Sequence, residues 1–358
     1  MRIFAGTDKG LIEYSERKGK LSFEKVHFQG LAVGYFTIDQ GTGHWWVALN
    51  HKHWGVKIHH SADEGATWEA MPVPAFGQNV VNLQGNKVTL TGIWVISHSL
   101  PDDPDTFYIG TEPAALFVTH DRGRHYELVQ SLWEHPSRHL WTGGGKGSHD
   151  PFLHSIIIDN EDPKHLLVGI SCAGVFHSHD AGITWQPINK GIHADYLPNP
   201  YAEVGQDPHC IRQSKKDPNI LWQQNHCGIY LSKDKGVNWR DISNHADQPY
   251  YGFALATDED DDEKAWVIPC VSDDRRYPPG NKLSVYHTNN GGQSWQRQEK
   301  GLPEAPVFDI VLRQALGKHN NHLVFGTNNG NLYHSDNDGE SWNLLSFSLA
   351  PVRSIFIG

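Results

Sequence analysis

Apolar residues recur along this chain in short runs that end in an aromatic or aliphatic residue and are cut off by polar, glycine-bearing breaks. VKIHH, LFVTH, GVFHSH, GIYLS, SVYHT and NLYHS are six of them. Short runs of this kind, bounded by turn residues, predict β-strands. The six are followed by versions of one polar phrase, Ser/Thr-x-Asp/Asn-x-Gly-x-Thr/Ser/Asn-Trp. It reads SADEGATW (61–68), SHDAGITW (178–185), SKDKGVNW (232–239), TNNGGQSW (288–295) and SDNDGESW (335–342), with a worn copy THDRGRHY at 119–126. Asp or Asn bonds the backbone two residues on, and Gly supplies a positive φ, so each phrase predicts a tight turn between two strands. The Trp then packs on the sheet and anchors the turn. Turn chemistry accounts for Asp, Gly and Trp together, so these aspartates are read as structural rather than as metal or substrate ligands.

The closing aromatics stand at 68, 126, 185, 239, 295 and 342, a period of about 55 residues that marks a repeat architecture. Each repeat parses into four strands, A to D from the axis outward; HSIIIDN, HLLVGIS, GVFHSHD and TWQPIN form one such set. Asp103-Pro104, Asp162-Pro163 and Asp217-Pro218 mark turns from A to B. Inner strands are expected to begin near Tyr35, Trp94, His154, His209, Phe253, Phe308 and Val352, which makes seven. The N-terminus supplies RIFAGT, GLIEYS and SFEKV as B, C and D, and VRSIFIG at the C-terminus supplies the missing inner strand. The prediction is an all-β, seven-bladed β-propeller of four-stranded antiparallel blades. It forms one domain over 1–358, with the first blade shared between 1–30 and 352–358. Closing the repeat this way hides sheet edges.

The octapeptides resemble the Asp-box, or BNR repeat, of sialidase-like β-propellers. The resemblance covers nearly the whole chain. It implies that each box lies on the turn between the third and fourth strands of a blade and is structural, not catalytic. A closer resemblance is to bacterial Asp-box proteins of similar length that carry glycosyl hydrolase or exo-sialidase-like labels. It rests on ALNHKHWGVKIHHS, GTEPAALF, SCAGV, LWQQNHCGIY and SDDRRYPP. Sialidases themselves resemble six-bladed propellers with an early Arg-Ile-Pro motif, whereas here Arg2-Ile3 is followed by Phe4, so no sialidase catalytic residue is carried over. Seven-bladed Asp-box relatives include xyloglucan-degrading enzymes, sortilin-type receptors and photosystem assembly factors, the last two without chemistry. Fold alone does not choose among them.

Composition narrows the partners. A formal net charge of -11 argues against nucleic acid and anionic membrane surfaces. The acidic run 258–263 falls on an A–B turn and is expected to be solvated surface. No apolar stretch is long enough to span a bilayer, and the chain opens directly into a strand, so a cytoplasmic protein is expected. Its 4 Cys are then free thiols.

Propeller geometry places the A–B and C–D turns on one face and the B–C and D–A connections on the other. The second set holds the unusual residues: Asn50 to His53, Glu112, Cys172, His226-Cys227, and CVSDDRR from Cys270 to Arg276. The long connections 131–153 and 190–208 carry Trp133, Trp141, Tyr196 and Tyr201, which suits a lid or pocket wall, and they deliver His154 and His209 to inner strands. The expected site therefore lies at the central channel mouth. His51, His53, Glu112, His154, His209, His226 and Asp273 are its catalytic candidates. Trp141, Tyr201, Glu203, Arg275, Arg276 and Arg313 are its substrate-binding candidates.

Three chemistries are open. His154, His209 and His226 are candidate ligands for a divalent ion, Zn²⁺ or similar, and His51-x-His53 would present two imidazoles on one face of a strand. Without metal, a carboxylate pair with positioned His suits glycoside hydrolysis, and a His or Tyr base with an Arg neutraliser suits β-elimination from a uronate. Cys172 or Cys227 beside a His would suit nucleophilic catalysis. The expected function is a hydrolase or lyase acting on a polar, carbohydrate-like small molecule or saccharide. The alternative is a non-catalytic propeller for binding or assembly.

Overall fold

The computed structural model describes residues 1–51, 53–100, 103–143, 150–243 and 249–358. Lys52 of the first B–C turn and GGKGSH (144–149) of the long connection lie outside them. Among the described residues the strands form seven four-stranded antiparallel sheets, and the chain is a seven-bladed β-propeller. Blade 1 combines Val352–Ile357 with Arg2–Thr7, Gly10–Arg17 and Lys20–His27. Ile3 pairs with Ile357 and Phe4 with Phe356, so the two chain ends share one sheet. Arg353 adds a two-pronged bond to Asp8 at 2.7 and 2.6 Å.

The other blades follow in chain order, with inner strands Val33–Ile38, Gly92–His98, Leu153–Ile158, Pro208–Gln213, Gly252–Thr257 and Leu316–His319. The chain divides into two compact units. One contains blades 2 to 4 (32–189 with 202–207), and the other contains blades 1 and 5 to 7 (1–31, 190–201 and 208–358). Each has its own core. Trp45, in the first, and Trp222 and Trp266, in the second, are wholly enclosed. At about 25 cal/mol per Å², burying such a ring stabilises by about 4–6 kcal/mol.

Every box folds as a turn between the third and fourth strands of its blade. In 61–68, Gly65 N–H donates to Ser61 Oγ at 2.8 Å. Asp63 accepts Thr67 N–H at 2.9 Å and the Thr67 hydroxyl at 2.7 Å. Asp180 holds Thr184 the same way at 2.8 and 2.6 Å, and Asp234 holds Asn238 at 2.8 and 2.7 Å. The worn copy works too: His125 replaces the hydroxyl residue and bonds Asp121 through Nδ1 at 2.5 Å. The turn requires left-handed backbone at the conserved Gly and also at the residue before it: Ala181 (φ 57) precedes Gly182 (φ 88). The box Trp then packs inward, as Trp342 does on Phe325 with ring centroids 4.8 Å apart.

Two expectations need correction. The inner strand of blade 7 begins at Leu316, not near Phe308. Residues around 308 are held by asparagines instead: Ile310 N–H donates to Asn328 Oδ1 at 2.7 Å, and Asp309 accepts Asn329 and Asn331 side chains at 2.6 and 2.7 Å. Side-chain bonds take the place of a strand ladder and leave Phe308 59% exposed. The acidic run is also less solvated than expected at its start. Asp258 lies 3.0 Å from the buried Lys318 ammonium, and Glu259 lies 2.6 Å from Lys215.

Candidate functional site

The inner strands of blades 2 to 6 share one irregularity at the same place. Their pairing with the second strand skips a residue between Val33 and Tyr35, Ile93 and Val95, Leu153 and Ser155, Pro208 and Cys210, and Gly252 and Ala254. The skipped residues are Gly34, Trp94, His154, His209 and Phe253. A bulge of this kind bends the strand and re-aims one side chain, and bulges gather beside functional sites. Four of the five, all but Gly34, are residues that the sequence marked as strand starts bearing an imidazole or an aromatic ring.

In blades 5 and 6 these side chains meet. His209 is buried and stacks on Phe253 with centroids 4.7 Å apart. Its Nδ1 lies 2.6 Å from the Gly252 carbonyl oxygen. A carbonyl only accepts, so Nδ1 carries a proton and donates to it. The half-buried His226 ring lies 5.5 Å from that of His209, and Tyr251 lies 5.5 Å from His209 and 5.2 Å from His226. Tyr251 donates to Asp273 Oδ1 at 3.3 Å, and Arg276 binds the same carboxylate. Arg276 and Arg313 each place a guanidinium about 5 Å from the Phe253 ring, at 5.2 and 5.1 Å, a cation–π separation.

The electrostatics divide the roles. Burial pushes the Tyr251 phenol well above its ordinary range, so it stays protonated at neutral pH. Burial opposes ionisation of Asp273, but the Arg276 hydrogen bond and charge outweigh it and hold the carboxyl below its usual range. Cys227 and Cys270 are pushed up to about 12, in both cases chiefly by burial. A thiol attacks as thiolate, so burial disfavours Cys227, one of the two cysteine candidates, as a nucleophile. Cys210 is buried with its thiol against the Leu255 carbonyl at 3.8 Å, and all four cysteines are free.

The remaining expected site residues have other surroundings. His154, in blade 4, is buried and bonds Ser155 Oγ through Nδ1 at 2.9 Å. Glu112 accepts Trp94 Nε1–H at 3.0 Å, and Trp94 stacks on Phe152, 4.0 Å away. The strand of His51 ends at that residue, and its Nδ1 caps the following turn by accepting N–H from His53 and Trp54 at 3.1 and 2.8 Å. His51 and exposed His53 are thus a capped turn, not a ligand pair on an extended strand. Glu203 accepts Asn189 N–H at 2.9 Å and braces its own connection. Trp141 is core: it is buried, 5.0 Å from Phe176 and 4.7 Å from the Arg138 guanidinium. Tyr201 is 66% exposed and touches His193, and Arg275 is exposed. Of the expected residues, then, the structure gathers His209, His226, Asp273, Arg276 and Arg313 around Tyr251 and Phe253.

Sequence reasoning passed over Tyr251 and Phe253 as site residues. They hold the register positions of Asp207 and His209 one blade earlier, because Gly252 pairs with Pro269 as Pro208 pairs with Asn225. That equivalence was the available signal. A second cluster, His165, His177 and His179 in blade 4, was also passed over. His177 there is lowered to about 4, first by burial and then by its two histidine neighbours.

Comparison with known proteins agrees with this architecture. The BNR/Asp-box repeat model matches residues 176–187. No curated protein matches. Among solved structures, an ancestral GH74 enzyme aligns over 96% of this chain at 14% identity with a TM-score of 0.59, and this chain spans 40% of that enzyme's length. YCF48 bound to D1 peptide aligns over 92% of this chain and 87% of its own at 12% identity, TM-score 0.53. YCF48 from Cyanidioschyzon merolae gives 93%, 88%, 16% and 0.51. At these identities the likeness is one of fold. The chain is therefore a seven-bladed β-propeller, one of whose turns matches the BNR/Asp-box repeat.

Proposed function

We propose that this protein is a lyase acting on a polar, carboxylate-bearing saccharide, with the cluster around Tyr251 as its site. The observation that carries the reading is the convergence of two imidazoles, one buried phenol and two guanidiniums around the bulged strand starts at His209 and Phe253. Hydrolysis by paired carboxylates needs two such groups across one bond, whereas Asp273 is already held by Arg276 and Asp207 by the Ser171 hydroxyl and the Cys172 N–H. Elimination needs a base, an acid and a cation to neutralise the substrate carboxylate. His226 takes the proton α to that carboxylate. Arg276 and Arg313 stabilise the charge that develops there. The C4–O bond breaks, a C4=C5 double bond forms, and the Tyr251 phenol protonates the departing oxygen. His209, locked by the Gly252 carbonyl, holds the rings of His226 and Tyr251 in place.

The ultraviolet absorbance of the conjugated product tests this directly. The protein is incubated with uronate-containing oligosaccharides and compared with His226→Ala. Absorbance that grows with native protein and fails to grow with the variant supports elimination. Release of reducing ends without that absorbance would make the protein a hydrolase, and full activity in the variant would remove His226 from the chemistry.

A second reading is a non-catalytic binding propeller, favoured by the likeness to YCF48 and by the aromatic segment beside His226, where Tyr196 is 45% exposed and its ring lies 5.3 Å away. Saturable binding of an uncleaved saccharide or peptide, lost in Tyr196→Ala, would favour it.

A further inference from the structure

Blade 4 carries three histidines at its box end. His165 ends the turn from the first to the second strand. His177 is the penultimate residue of the third strand, and His179 is the second residue of the box. The repeat makes these positions comparable from blade to blade. Leu166 pairs with Ser178, as Trp45 pairs with Ser61 and Leu323 with Ser335. The corresponding trios are therefore His44, His60 and Ala62 in blade 2, and His322, His334 and Asp336 in blade 7. Where two histidines are present they bond each other, at 3.0 Å in blade 2 and 2.9 Å in blade 7.

Blade 4 departs from that arrangement. His165 stacks on His179 with centroids 4.3 Å apart, His177 lies edge-on to His179 at 4.5 Å, and one ring nitrogen from each of the three falls within 4.8 Å of the others. Behind them, the buried Asp159 carboxylate lies 3.2 Å from His165 Nδ1 and also accepts Glu161 N–H at 2.9 Å. Asp159 thus takes the Nδ1 proton of His165 in a hydrogen bond and leaves Nε2 as the coordinating atom. A carboxylate behind a ligating histidine sets tautomer and ring orientation at metal sites.

We propose that His165, His177 and His179 form a three-imidazole site for a first-row divalent transition ion, Zn²⁺ in the first instance, with Asp159 as the positioning residue. The three ligand atoms lie within 4.8 Å of one another, and side-chain rotation would close them around an ion at the roughly 2.0–2.1 Å Zn–N distances of a tetrahedral site. Imidazole donors suit Zn²⁺, Cu²⁺ and Ni²⁺ and do not suit Ca²⁺ or Mg²⁺. His165 and His177 are buried and His179 is exposed, so the fourth position faces solvent. The ion would clip the box turn of blade 4 to its A–B turn. It owes nothing to the elimination chemistry proposed above.

The test is calorimetric titration of the whole protein, freed of metal by chelator, with Zn²⁺ and with Mg²⁺. One equivalent of Zn²⁺ should bind, Mg²⁺ should not, and Tm should rise with Zn²⁺. His179→Ala, at an exposed position, should keep its fold and lose Zn²⁺ binding. Asp159→Asn should weaken binding by about 10–100-fold, and His226→Ala should leave it unchanged. Anomalous diffraction at the zinc edge should place the ion between the three rings. Absence of stoichiometric binding, or binding that survives His179→Ala, would overturn the proposal, as would an ion lost in His226→Ala.

Discussion

The two ends of blade 5 use polar residues in opposite ways. At the box end, Ser232, Asp234, Gly236 and Asn238 bond one another within a few residues, at 2.7 to 2.9 Å. At the other end, His209 sits on a bulge and reaches across to Gly252, Tyr251 and Phe253 of blade 6. The first arrangement closes on itself, so its polar groups are spent on the turn. The second is assembled from residues that are distant in sequence and meet through ring contacts and a bond to a neighbouring blade's carbonyl. A repeated motif can thus be rich in polar groups and still close on itself, while contacts between distant residues collect where the repeat is irregular.

The largest effect expected from breaking this contrast is on turnover. His226→Ala should lower kcat/KM by about 10²–10⁴-fold, the usual contribution of a positioned acid or base, while thermal stability stays near that of the native protein. At the box end the reverse holds. Trp342→Ala removes a buried anchor 2% exposed and should cost about 3–5 kcal/mol, read by urea unfolding, with kcat unchanged. Smaller still is the effect of acid on the boxes. Thr67 bonds, through side chain and then backbone, lower Asp63 to about 2, and Thr184 does the same for Asp180. These carboxyls titrate lower in the fold than in the unfolded chain. Their contribution is therefore full above the ordinary carboxylate pKa of about 4 and is lost as pH falls through about 2. Asp63→Asn should shift acid unfolding to a different pH without touching activity; an unchanged acid midpoint would mean the box bond carries no stability. The smallest change is Ala181→Gly. Ala181 holds φ 57, where TNNGGQSW already has Gly291 at φ 63. Relieving a left-handed alanine costs glycine's added chain entropy, so the gain should be at most about 1 kcal/mol, seen as a rise of about one degree in Tm.

The sequence by itself determined the repeat, the blade number, the turn at each box and the joining of the two ends in one sheet. These follow from short apolar runs and from local turn chemistry, which act over a few residues and repeat often enough to be read. It also pointed to His209, His226, Asp273, Arg276 and Arg313. The placement of those residues was decided only by tertiary structure. A bulge is invisible in a run such as DPHCIRQ, because skipping one partner changes no residue type, yet it turns His209 toward Tyr251 and Phe253. The same holds for His51, whose ring nitrogen is taken by a turn, and for Phe308, drawn away from its expected strand by asparagines some twenty residues on. Side-chain bonds between distant segments carry no periodicity, so they leave no pattern along the chain.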